Sequence, residues 1–129
     1  MNALIITNNP RVFIEYSNKE QVEFVEDAGQ MEILERARDR IHLGDKLIMH
    51  PMAGRIKPHE TPYKSVLLEV GVKGETTDLR SVQIIEDSMA ETRKFLEGGI
   101  SRKYSEAMLP DLQWIDLLLL RNGIEEYRR

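Results

Sequence analysis

The chain opens on Ala3–Thr7 (A-L-I-I-T), an almost unbroken apolar run cut off at once by Asn8, Asn9 and Pro10. A surface strand alternates apolar and polar residues; a run apolar at every position is buried on both faces. This segment therefore predicts a central strand with layers packed above and below it. Asn9 and Pro10 then supply an N-cap and a first helical residue, predicting a short helix through about Tyr16. Gln21–Val25 reads as a second strand. Met31, Leu34, Ala37 and Ile41 share one helical face, and Gly44 stands where a helix over 30–43 would stop. Lys46–Met49 and Ser65–Val70 read as third and fourth strands.

Beyond that point the pattern is helical only. Val82, Ile85, Met89 and Leu96 predict a helix over 78–97, ended by Gly98-Gly99. Met108, Leu112, Ile115 and Leu119 predict another over 110–122, with Gly123 as its stop. Trp114, Leu117, Leu118 and Leu120 spread apolar groups around most of that second helix. A helix apolar on most sides is buried or joins an interface, so a homodimer is expected. The alternating strands and helices predict one α/β domain over 1–129: a three-layer αβα arrangement with a mostly parallel four-stranded sheet and two C-terminal helices. The expected strand order is 2-1-3-4, with the fourth strand antiparallel at an edge because no crossover helix separates it from the third.

In such a sheet, ligands bind beyond the carboxyl ends of the strands, where the order switches direction. The first strand leads there into Asn8-Asn9, and the third into His50–Lys64. That long, proline-rich loop holds Arg55, Lys57 and Lys64 against Glu60 alone, although the chain as a whole carries a net charge of −4. A basic loop on an acidic protein predicts an anionic ligand. Asn8, Asn9, His50, Arg55 and Lys57 are expected to line its pocket, with Tyr63 and Lys64 at the rim. Arg55 is suited to a bidentate grip on a carboxylate or phosphate, and Lys57 to a point charge. His50 is suited to phosphate contact or proton transfer.

Several classes are set aside. The absence of cysteine excludes disulfides, thiolate nucleophiles and Cys-ligated metals. His50, His59 and Glu60 lack metal-ligand spacing, so no metal is expected. The chain has no dinucleotide, P-loop or nucleophile-elbow fingerprint, and no cofactor is expected. Acidic charge argues against a nucleic-acid partner. No stretch approaches the roughly 20 apolar residues of a membrane helix, so no membrane partner is expected. Without a basic segment leading into an apolar run at the start, a cytoplasmic location is expected.

The blocks I-I-T-N-N-P (Ile5–Pro10), H-P-M-A-G-R-I-K-P-H-E-T-P-Y-K-S (His50–Ser65) and I-I-E-D-S (Ile84–Ser88) resemble the GrdX proteins. These are small proteins associated with the glycine, sarcosine and betaine reductase gene clusters of anaerobic bacteria. The resemblance implies an accessory role in amino-acid reduction and a reductase subunit as partner; it supplies no catalytic residues to transfer. Lacking cysteine and selenocysteine, the chain cannot itself perform thiol or selenol chemistry. Two functions therefore stand side by side: an accessory protein with the basic loop as its working surface, or a small anion-binding domain or enzyme acting on a carboxylate, phosphate or nucleotide.

Overall fold

A computed structural model describes residues 2–72 and 76–129. Strands β1 (Ala3–Thr7), β2 (Gln21–Phe24), β3 (Lys46–Leu47) and β4 (Ser65–Glu69) form one mixed sheet. Helices α1 (Pro10–Tyr16), α2 (Gln30–His42), α3 (Leu79–Glu97) and α4 (Leu109–Tyr127) cover it. Helices α2 and α3 pack on one face, where Ile33, Leu34, Ile41, Ile85 and Met89 meet Leu4, Ile6, Val66 and Leu68. On the other face Val12 and Tyr16 of α1, with Leu117, Leu120 and Ile124 of α4, meet Ala3, Ile5 and Leu67. Successive residues of β1 thus feed opposite cores, which is why that segment has no polar position to spare. The three-layer arrangement and the interior place of β1 follow.

The strand order differs from expectation. It is β2-β1-β4-β3, with β1 parallel to β2 but β4 antiparallel to both β1 and β3, so the sheet is mostly antiparallel rather than mostly parallel. The expected order put the third strand beside the first and the fourth at the edge; the reverse holds. Burial explains it. Val66, Leu67 and Leu68 are each fully buried, giving β4 the same two-faced apolar character as β1. The two-residue β3, with Lys46 exposed, is fitted only to an edge. Strand β4 takes the interior place because it has more apolar surface to remove from water.

Helix starts agree closely with the sequence reading. The Asn9 side chain accepts a hydrogen bond from the Arg11 amide, with Pro10 at the first helical position. Segment 50–64 contains only a 3-10 turn, Pro58–Glu60. Helix α4 runs past Gly123 to Tyr127 instead of stopping there. A Cβ at Gly123 would lie 2.5 Å from Met49 Sδ, so this glycine admits a close neighbour rather than ending the helix. Of the four bulky residues expected at an interface, Leu117 and Leu120 are core, while Trp114 and Leu118 remain exposed with Ile115.

Candidate functional site

Registers Thr7↔Phe24 and Thr7↔Ser65 align the carboxyl ends of β1 and β2 with the amino end of β4. Segments 8–9, 25–29 and 50–64 therefore emerge along one sheet edge, and Asn8 ties them together. Its Nδ2 donates to the carbonyls of Ala28 (2.8 Å) and Pro62 (2.9 Å), while its Oδ1 accepts from the Lys64 amide at 2.9 Å. The Asn8 side chain thus makes hydrogen bonds in both directions while almost entirely buried.

A second polar chain runs beneath. The Asn9 amide donates to Thr7 Oγ1 (2.9 Å), Thr7 and Ser65 hydroxyls lie 2.7 Å apart, and Ser65 donates to Asp116 Oδ2 at 2.7 Å. Asn9 Nδ2 reaches the same carboxylate oxygen at 2.9 Å and the Gln113 carbonyl at 2.8 Å. Burial pushes the Asp116 carboxyl above the usual carboxylate range, against the opposing pull of its bonds to Ser65 and Asn9 and of the Lys64 charge. The Lys64 ammonium, donating to the Pro51 carbonyl at 2.6 Å, is pushed below the usual lysine range by burial.

The raised proton affinity of Asp116 makes stability depend on pH. Between the unfolded value near pH 4 and the folded one, the native state binds more protons than the unfolded chain, so this carboxyl's contribution to stability falls as pH rises. Asp116→Asn keeps acceptors for Ser65 and Asn9 and removes the titration. Urea denaturation from about pH 4 to about pH 7 is expected to show that falling component in the parent and not in the variant.

Two cavities flank these networks. The larger, about 510 Å³, is walled by Asn8, Gln30, His59, Tyr63, Arg102 and Tyr104, with Leu96, Ile100 and Leu109 as its apolar side and Glu26 and Asp27 at its acidic side. Gly29 and Gln30 bring the start of α2 to its wall, where no side chain caps the helix. Gln30 Nε2 donates to the carbonyls of Pro58 and Thr61, leaving Oε1 buried without a partner. His59 stacks on Phe95 with ring centroids 5.2 Å apart, and its buried Nδ1 also lacks a partner. The smaller cavity, about 40 Å³, lies among His50, Tyr63, Lys64, Ser65, Asp116 and the apolar face of α4.

The expected site residues divide accordingly. Asn8 and Tyr63 reach the larger cavity; His50, Tyr63 and Lys64 reach the smaller. His50 Nδ1 accepts from the Met52 amide at 3.0 Å. Asn9 is committed to capping and to Asp116. Arg55 is exposed and lines neither cavity, and Lys57 lies over the Phe95 ring at 5.9 Å. The structure thus brings together the two ends of the loop but not its two central cations. Gln30, His59 and Asp116 escaped sequence reasoning as site residues; only Gly29 before the α2 pattern, an N-cap without a side chain, hinted at an open helix start.

No curated protein and no solved structure shows a significant match to the chain. One family model, described as GrdX-like protein, matches residues 4–125, from β1 into the last turns of α4. With nearly its whole length matched, the chain belongs to the GrdX-like protein family.

Proposed function

We propose that this chain is a cytoplasmic accessory protein of glycine, sarcosine or betaine reductase systems in anaerobes, and that it works by holding a small carboxylate in the 510 Å³ cleft. The reductase setting rests on the family resemblance. The ligand rests on one observation: the uncapped start of α2 meets, in the same cleft, two buried side chains with unpartnered polar atoms, Gln30 and His59. Free helix-start amides attract a carboxylate. An unpartnered buried acceptor is costly unless something donates to it, and Gln30 Oε1 calls for an N–H or O–H group. Glu26 and Asp27 favour a cationic amine on the acidic side. A small amino acid or its N-methylated relatives carry both a carboxylate and a cationic nitrogen, and acetate only one.

Thermal unfolding with glycine, sarcosine, betaine and acetate tests the reading. A zwitterion at about a hundred times its Kd adds about 2.7 kcal/mol, expected as a rise in Tm of several degrees. Acetate, with no cationic nitrogen, and betaine, whose nitrogen has no N–H to offer Gln30 Oε1, are expected to give less. His59→Phe keeps a ring to stack on Phe95 while deleting Nδ1, and is expected to remove most of the shift with little change in the unliganded Tm. Unchanged melting with all four ligands at millimolar concentration would refute the ligand. Recovery of the protein from an anaerobe without any reductase subunit would count against the reductase setting.

The exposed Trp114, Ile115 and Leu118 on α4 support a homodimer. Sedimentation at micromolar concentration is expected to give a species twice the 15.0 kDa chain mass; a monomer alone would remove this part of the reading.

A further inference from the structure

We propose that Lys64 is a nucleophilic lysine that captures a one-carbon aldehyde as a Schiff base in the small cavity beside Asp116. The inference stands apart from the cleft and its carboxylate. Lysine side chains ordinarily reach into water; Lys64 instead turns inward, with Nζ held 2.6 Å from the Pro51 carbonyl. Its cavity is shared with the Asp116 carboxyl, yet the two groups are not in ion-pair contact; Asp116 Oδ2 accepts instead from Ser65 and Asn9. An inward lysine without a salt bridge is a common preparation for amine chemistry, since burial favours the neutral, nucleophilic form. Here burial does lower the proton affinity of Lys64 and raise that of Asp116, so each is moved toward the form the reaction needs.

The step balances without an added reagent. The neutral amine attacks the carbonyl carbon, forming the C–N bond as the C=O π pair moves to oxygen. That oxygen takes a proton from the Asp116 carboxylic acid, and the nitrogen gives one of its own back to the carboxylate. Asp116, protonated again, then gives that proton to the carbinolamine hydroxyl, which leaves as water while the nitrogen lone pair forms the C=N bond, and its carboxylate takes the nitrogen's remaining proton, giving the imine. Leu112, Ile115, Leu119 and Leu120 line the same cavity and limit the access of bulk water that would reverse the condensation. A volume of about 40 Å³ is little more than the share of one liquid water, so only the smallest aldehydes fit.

The test is competitive trapping on the intact protein at neutral pH, using limiting formaldehyde with sodium cyanoborohydride, followed by peptide mass spectrometry. Lys64 is expected to be alkylated about tenfold faster than the exposed Lys19 and Lys94. Pyridoxal, too large for the cavity, is expected to reverse that preference. Asp116→Asn is expected to slow Lys64 several-fold and leave Lys19 and Lys94 unchanged; should that variant not fold, the rates in the parent protein decide alone. Trapping of Lys64 no faster than Lys19 would overturn the proposal, as would equal preference for pyridoxal at Lys64.

Discussion

Asn8→Ala is expected to lower stability by about 3–4 kcal/mol and to abolish binding in the larger cleft. The truncation removes three hydrogen bonds at once and leaves the Ala28 and Pro62 carbonyls and the Lys64 amide to find new partners. Each unsatisfied buried group costs about 1–3 kcal/mol, discounted where water can enter. For a chain of this length the loss corresponds to a fall in Tm of roughly 10 °C. Binding should fail for a separate reason. Segments 25–29 and 58–63 form two walls of the cleft, and the Asn8 side chain is one of the ties that set their spacing. Thermal unfolding and ligand titration below the new Tm check the two effects independently. Asn8→Asp is the informative companion: it keeps the acceptor for Lys64 but loses both donated bonds, so cleft binding should fail there too. A variant that melts within about 1 °C of the parent would show that these bonds contribute little.

What could be read from sequence was what depends on neighbours along the chain. Asn9-Pro10 starts α1, Gly44 follows α2, and the absence of helical periodicity between Met49 and Ser65 kept that segment free of any full helix. The interior place of β1 was legible because every residue of Ala3–Thr7 is apolar or small. Val66–Leu68 carry the same signal for an interior β4, whereas the missing crossover helix before it fixes only antiparallel pairing and not an edge position.

The sequence told which segments meet at the candidate site, and not which side chains line it. The carboxyl end of β1 and the loop before β4 do meet, because the antiparallel pairing places Ser65 against Thr7. Which side chains turn inward depends on contacts far apart in sequence. Asp116 lies 107 residues from Asn9, on a helix whose pattern reported only its apolar face. Arg55 and Lys57 drew notice by charge, but charge in a loop says little about direction. Lys64 lies next to the strand with its backbone amide bonded to Asn8, and its side chain turns inward to the Pro51 carbonyl. The spacing of His59 from His50 says nothing of its place in the cleft wall, which comes with stacking on Phe95 of α3.

Gly71→Ala is expected to destabilise the fold by about 3 kcal/mol or more while leaving ligand binding intact. A Cβ at Gly71 would lie 2.0 Å from the Gly44 carbonyl oxygen, a backbone atom that cannot turn aside as a side chain can. Overpacking of this kind usually costs about 1–3 kcal/mol, and relief here requires moving two chain segments. Both are anchored by one carboxylate: buried Asp45 accepts from the Gly71 amide at 2.9 Å and from Arg40 Nε at 2.7 Å. Gly44 itself takes a φ of 114°, so the α2–β3 turn has little freedom to shift away. The strain falls just past the carboxyl end of β4, whereas the cleft and the Lys64 cavity lie beyond its amino end. Six residues of extended chain separate Gly71 from Ser65, roughly 20 Å. Denaturant unfolding should therefore show the full loss, while titration well below the transition should return nearly the parent affinity. Loss of binding at Gly71→Ala in proportion to the loss of stability would mean that the cleft responds to the whole sheet. Preserved binding there, set against its loss at Asn8→Ala, would place the function in the local ties at the β1 end.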